Sequence, residues 1–336
     1  MSATGEQVHG PTRAAPGSQG DGTPARRAIG WIGFGAIGLP MAARAVAAGW
    51  TVLGFDPSPA KQEAARAAGI NVVPSTTDAA SQAEGLVVCV VRTLEQVDSA
   101  LLGEGEGVLR RDDPPLGVVM STVGALGLEE LAERASRVGG RVVDAPILGN
   151  PHGAAAGALT ILVSGWRDDV ASVRPLFDDI ARSVVVLGEA VGLAQTVKTV
   201  SQLRQIAGML ATIEGVELAV RRGADEQVVL DVLHATEPSW ATDNWVYASE
   251  LWSHRDRTTS LGIFAKDLAA ALSDAEAVDV DVPIAREAHR VIESRLADGG
   301  GGCLSSLTRL PRAACVSPQA SPPIGMERRY NKCRYK

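Results

Sequence analysis

One hexapeptide restricts the fold of this 336-residue chain more than any other stretch: Gly33-Phe34-Gly35-Ala36-Ile37-Gly38. It follows an apolar run, Ala28 to Ile32, fit for a buried strand, and precedes an alanine-rich segment, Met41 to Gly49, that reads as a helix. In a G-x-G-x-x-G turn between strand and helix, Gly33 permits the tight turn. Gly35 lets the backbone approach a pyrophosphate, and Gly38 lets the helix pack against the strand. The helix start adds free N–H groups and a positive dipole end. Residues 33 to 38 are therefore expected to hold a dinucleotide. A second strand, Trp50 to Phe55, runs into Asp56, eighteen positions beyond Gly38. A carboxylate there accepts from ribose hydroxyls and repels a 2′-phosphate, which favours NAD over NADP. No Arg follows Asp56 directly. The alternative role for Asp56 is a turn residue before Pro57.

The alternation continues. Lys61 to Ala68 reads as helix, then Asn71-Val72-Val73, Leu86 to Val91 and Gly117 to Met120 as strands. Leu128 to Arg137 reads as helix, with strands at Arg141-Val142-Val143 and Leu159 to Val163. Strand–helix alternation with apolar strands implies a parallel sheet covered on both faces. Past Gly188 the pattern changes. Gly192 to Arg222 lacks proline, and Leu193, Val197, Val200, Leu203, Ile206, Leu210, Ile213 and Val216 recur at helical spacing. This predicts one helix of about 30 residues, about 45 Å long. Glu226 to His234, Phe264 to Glu276 and Pro283 to Ala297 read as further helices.

The expected fold class is α/β: an N-terminal Rossmann-type doubly wound parallel sheet plus a C-terminal all-α domain. The expected division is a disordered leader at 1–27, a nucleotide-binding domain at 28–188, a helical substrate and dimerisation domain at 189–307, and an irregular tail at 308–336.

Composition narrows the function classes. A net charge of −7 argues against nucleic acid or an anionic membrane as partner. No run approaches the roughly 18 apolar residues of a membrane span. The N-terminus has no apolar signal core, so a cytoplasmic location is expected. Cys89, Cys303, Cys315 and Cys333 form no C-x-x-C pair, and the five histidines are scattered, so neither a disulfide framework nor a metal site is expected.

Several further motifs stand in order. They are the extension Leu39-Pro40-Met41-Ala42, Ser121-Thr122-Val123, Asp144-Ala-Pro-Ile-Leu-Gly-Asn150 with Gly157-Ala-Leu-Thr160, Gly192 with Lys198 six residues later, and Phe264-Ala-Lys-Asp-Leu268. With these the chain, from about Ala28 to Leu307, resembles the β-hydroxyacid dehydrogenase family. That family includes 3-hydroxyisobutyrate, tartronate semialdehyde and L-threonate enzymes. The resemblance implies a small-molecule hydroxyacid substrate, Lys198 as catalytic residue, and a homodimer or homotetramer. It places Ser121, Thr122, Leu148, Gly149, Asn150 and Gln202 at the substrate, and Val91, Thr122 and Lys266 at the cofactor beside the glycine turn. The substrate loop departs from the family's usual Asp-Ala-Pro-Val-Ser-Gly-Gly: Leu148 stands for the Ser and Asn150 for the last Gly. The family's Asn-Asn or Asn-Gln after the lysine is here Ser201-Gln202, which leans to the tartronate and threonate types.

Hydride transfer to a carbonyl creates an oxyanion that needs a proton, and a positioned lysine can supply it. Gln202 lies at i+4 from Lys198, on one helix face. Each of these residues also has a plain role open to it: a helix-packing contact for Gln202, a charged helical pair for Lys266 and Asp267, helix capping for Ser121 and Thr122. The cluster Trp240, Trp245, Tyr247 and Trp252 reads as core or dimer packing, or as a pocket wall that with Leu148 would suit a less polar substrate. Two other functions stay open. One is an imine reductase on the same fold, against which the retained lysine counts. The other is a dinucleotide-binding protein without catalysis.

Overall fold

The computed structural model describes residues 27–105, 107–253 and 260–297. The expected leader (Arg27 apart) and the expected 308–336 tail lie outside the described residues. The first half runs β1 (Ala28–Ile32), α1 (Gly38–Ala47), β2 (Thr51–Phe55), α2 (Pro59–Ala67), β3 (Asn71–Val72), α3 (Thr76–Ser81), β4 (Leu86–Cys89), α4 (Leu94–Leu102), β5 (Leu116–Val119), α5 (Ala125–Arg137) and β6 (Arg141–Asp144). It continues with β7 (Ile147–Leu148), α6 (Pro151–Ala156), β8 (Thr160–Ser164), α7 (Arg167–Ile180) and β9 (Ser183–Gly188).

The sheet order is β3-β2-β1-β4-β5-β6-β8-β7, with β9 beside β8. Strands β1 to β6 pair in parallel, and the order reverses direction between β1 and β4. This is the doubly wound arrangement expected. Beyond β6 it becomes mixed: β8 runs antiparallel to β6 and β7, and β9 follows β8 in parallel. The β6–β8 pairing is a single register point, Asp144 opposite Ser164.

The strands read as continuous apolar runs because both faces are covered. Val88, Val118 and Val143 face a core with Met41, Ala45 and Phe177 on one side. Val87, Cys89, Val119 and Val142 face Val97, Leu101, Leu128 and Leu131 on the other. Elements the sequence pattern did not announce have local reasons. In α4, a Thr93–Gln96 capping box sets the start. In α7, an internal Pro175 interrupts the helical pattern.

The second half is helical: α8 (Leu193–Arg221), α9 (Glu226–Thr236), α10 (Trp240–Asp243), α11 (Trp245–Ser253), α12 (Ser260–Ala277) and α13 (Pro283–Ala297). Caps mark the boundaries. The Asp225 carboxylate accepts from the Val228 amide at the start of α9, and Pro283 opens α13. A core of Ile206, Met209, Leu210 and Ile213 from α8 packs with Phe264, Leu268 and Ile292. Trp252 is buried in it, with Trp240 and Trp245 against it, so these tryptophans pack the helical core. The side chain of Tyr247 is not among those described. No helix among the described residues is long and apolar enough to cross a membrane.

Candidate active site

The glycine turn leaves the C-terminal end of β1. Gly33 has φ +101°, and a Cβ there would lie 2.2 Å from the Val90 carbonyl oxygen, so only glycine fits. A Cβ on Gly38 would sit 2.4 Å from the Gly33 oxygen, because α1 starts directly against the turn. A Cβ on Gly35 would meet nothing within 4 Å: it would fill the open space that a pyrophosphate needs. The residues therefore fit a dinucleotide. Phe34 is buried, and its amide donates to Asp56 Oδ2 at 2.8 Å. Asp56 also accepts from the Ser58 amide at 2.9 Å and pairs with half-exposed Lys61 at 3.4 Å. The carboxylate thus pins the turn in place with its remaining acceptor capacity left for a ribose. Lys61 beside it is a cation that the sequence argument against NADP overlooked.

Val91, Ser121, Thr122, Leu148, Gly149 and Asn150 sit at or just past the ends of β4, β5 and β7, the sheet edge where open α/β folds place ligands, while Lys198, Gln202 and Lys266 come from α8 and α12. The Val91 amide, past β4, donates to Ser121 Oγ at 2.8 Å. Ser121 is buried, so its hydroxyl ties two strand ends together. The Thr122 carbonyl accepts from Lys266 Nζ at 2.6 Å, across 144 residues. Leu148 ends β7 half-buried, while Gly149 and Asn150 are exposed. Asn150 caps α6: its Oδ1 accepts from the Gly153 amide at 2.8 Å.

Lys198 is buried on α8, with 7% of its surface exposed. Its ammonium donates to Gln202 Oε1 at 3.3 Å. Among the described residues no other acceptor takes its protons, so it retains donors for a ligand. The Gln202 amide then donates to Asp267 Oδ2 at 2.6 Å. Asp267 Oδ1 lies 2.7 Å from Lys266 Nζ, an ion pair off the line of a directed hydrogen bond. Two lysines thus share one buried carboxylate, one through Gln202 and one directly. Burial pushes the Lys198 ammonium below the ordinary lysine value. Asp267 pulls it partly back and Lys266 pushes it down again.

Three polar residues that the sequence did not single out as site residues hold the start of α8. Asp144, at the end of β6, is wholly buried and accepts from the Gly192 and Gln195 amides at 3.1 and 3.0 Å. Ser164 Oγ donates to Asp144 Oδ2 at 3.2 Å and accepts from the Ala194 amide at 3.1 Å. The Gln195 side chain donates to Asp144 Oδ1 at 2.9 Å and to the Ser121 carbonyl at 3.1 Å. It accepts from the Val123 amide at 3.0 Å. Burial pushes the Asp144 carboxyl up, against the pull of these bonds. On the other side, Asp274 of α12 accepts from the Ala125 and Leu126 amides at the start of α5, holding α12 to α5.

Residues 28–188 match the family profile described as the NAD binding domain of 6-phosphogluconate dehydrogenase. Residues 192–308 match that described as the NAD-binding part of NADP-dependent 3-hydroxyisobutyrate dehydrogenase. The chain is 30% identical to an L-threonate dehydrogenase of Escherichia coli over 279 residues, 81% of this chain and 90% of that protein. It is 26% identical to the mitochondrial 3-hydroxyisobutyrate dehydrogenase of Bos taurus over 282 residues, 81% and 82% of the two. A crystal structure described as 3-hydroxyisobutyrate dehydrogenase from Salmonella typhimurium superposes with a TM-score of 0.70 at 26% identity, covering 80% of this chain and 93% of that one. Fold, cradle and likeness together define a dehydrogenase that uses a nicotinamide dinucleotide on a CH–OH group. The chain belongs to the β-hydroxyacid dehydrogenase family.

Proposed function

We propose that this enzyme interconverts a 3-hydroxyacid and its semialdehyde or keto form, with Lys198 as general acid and base and NAD as the preferred cofactor. The observation that carries the proposal is the buried Lys198 ammonium, held through Gln202 and Asp267 and with no further acceptor among the described residues. When bound, the nicotinamide supplies the hydride acceptor or donor. The start of α1 and Gly35 would hold its pyrophosphate and Asp56 its ribose, with Val91, Thr122 and Lys266 towards the nicotinamide. In oxidation the neutral Lys198 amine takes the hydroxyl proton. In reduction its ammonium donates to the carbonyl oxygen. Depression of its proton affinity by burial favours the neutral amine that the oxidation needs. Gln202 orients Lys198 and borders the substrate. On this reading residues 28–188 bind cofactor and 189–307 complete the substrate site.

Leu148, Gly149, Asn150, Ser121 and Thr122 are proposed to border the substrate. The likeness to L-threonate and 3-hydroxyisobutyrate dehydrogenases points to small hydroxyacids. The apolar Leu148 favours the less polar of these. Self-association is proposed as well: α8 presents exposed Leu193, Val197 and Val200. Sizing in solution tests it, a monomer being the contrary result.

The first experiment is NADH and NADPH formation with 3-hydroxyisobutyrate, L-serine, D-glycerate, L-threonate and 3-hydroxypropionate, for wild type and Lys198→Ala. Turnover with NAD that collapses in the variant supports the proposal. Absence of turnover in a protein that binds NADH moves the assignment to an imine substrate or a non-catalytic role.

A further inference from the structure

We propose that Asp144 and Gln195 are positioning residues for the reaction, fixing the rotation of α8 so that Lys198 faces the Ser121–Val123 loop. The inference rests on Lys198 being the acid and base.

The geometry is specific. Gln195, Lys198 and Gln202 stand at i, i+3 and i+7, on one face of α8. Gln195 is wholly buried, and its amide grips the loop on both sides of Thr122, at the Ser121 carbonyl and the Val123 amide. The Thr122 carbonyl between these grips receives Lys266. Asp144 orients the Gln195 amide: by accepting from Nε2 it leaves Oε1 to face the Val123 amide. It also receives the Gly192 and Gln195 backbone amides at the positive end of the helix. One carboxylate therefore sets both the start of the helix and the side chain that reaches the loop. Lys198 follows one turn later, so a rotation of the first turn displaces its ammonium directly.

Apolar contact alone can hold a helix to a sheet, as Met41 and Ala45 of α1 show against Val88 and Val118. The bonds of Asp144 and Gln195 also fix direction, and a misplacement of about 1 Å can cost about a hundredfold in rate.

The test uses Gln195→Met, which keeps side-chain length and deletes three polar contacts, and Asp144→Asn. For each, kcat, KM and NADH binding are measured with the best hydroxyacid, alone and combined with Lys198→Ala. The expected result is a ten- to hundredfold fall in kcat with NADH affinity kept within threefold. Neither change should further lower the residual rate of Lys198→Ala, because groups acting through one residue are not additive. A kcat within twofold of wild type in Gln195→Met overturns the proposal. So does a full additional loss on the Lys198→Ala background, which marks plain structural damage. Wild-type turnover in Lys198→Ala instead removes the lysine from the mechanism, a separate failure. If Gln195→Met does not bind NADH, Ser164→Ala replaces it. Its expected kcat loss is three- to tenfold, and an unchanged kcat there overturns the proposal.

Discussion

From Ile206 to Ile213, α8 buries Ile206, Met209, Leu210 and Ile213 in the core it shares with α12 and α13. From Leu193 to Gln202, the same helix buries Gln195, Lys198 and Gln202 and turns Leu193, Val197 and Val200 outward. The later half is positioned by apolar burial, which is strong but indifferent to small rotations. The earlier half is positioned by directed bonds from Asp144, Ser164 and Asp267. Leaving any of these buried groups unpaired would cost about 1–3 kcal/mol, so the inversion persists only because each has a partner. Within one helix, inside-out patterning marks where chemistry has displaced packing.

The contrast can be broken by substitution. Lys198→Ala is expected to lower kcat by about 10²–10⁴, the range of a lost general acid or base, with NADH binding unchanged by fluorescence titration. Ile213→Ala, in the later half, should do the reverse: a loss of about 2–5 kcal/mol in denaturant unfolding, with kcat in the surviving native protein close to wild type. Asp267→Asn removes the charge that raises the proton affinity of Lys198. The sign follows: Lys198 then loses its proton at lower pH, so the acid limb of the oxidation pH–rate profile moves down, and an upward move would contradict the assignment. Smallest is Val200→Thr on the exposed face, expected to change unfolding stability by no more than about 0.5 kcal/mol. A large effect there would show that Val200 is covered in the assembly, consistent with self-association.

What the sequence disclosed follows the same division. The cradle is legible because Gly33 and Gly38 answer backbone constraints, as their blocked Cβ positions show. The extent of α8 is legible too, since a proline-free periodic run ended where the helix ends, 29 residues against about 30 expected. Its phase is not. The spacing groups Leu193, Val197 and Val200 with Ile206, Ile213 and Val216 without saying which face is buried, and these three lie outside. Periodicity reports apolar burial and is blind to bonds such as Gln195 to Val123, made across 72 residues to a backbone amide. For the same reason Asp144 reads as part of a loop motif rather than as an anchor. Lys61 escapes notice because the first turn of α2 brings it back to Asp56 from five residues on.

The bonds that join Thr122 to Lys266 and Ala125 to Asp274 close loops of 144 and 149 residues. Nothing local can form them, so the constellation exists only after α12 has docked on a finished sheet. The glycine cradle, by contrast, closes over shorter separations, such as the 22 residues from Phe34 to Asp56. Heating should therefore detach α12 and silence the enzyme before the sheet unfolds, so inactivation runs ahead of melting.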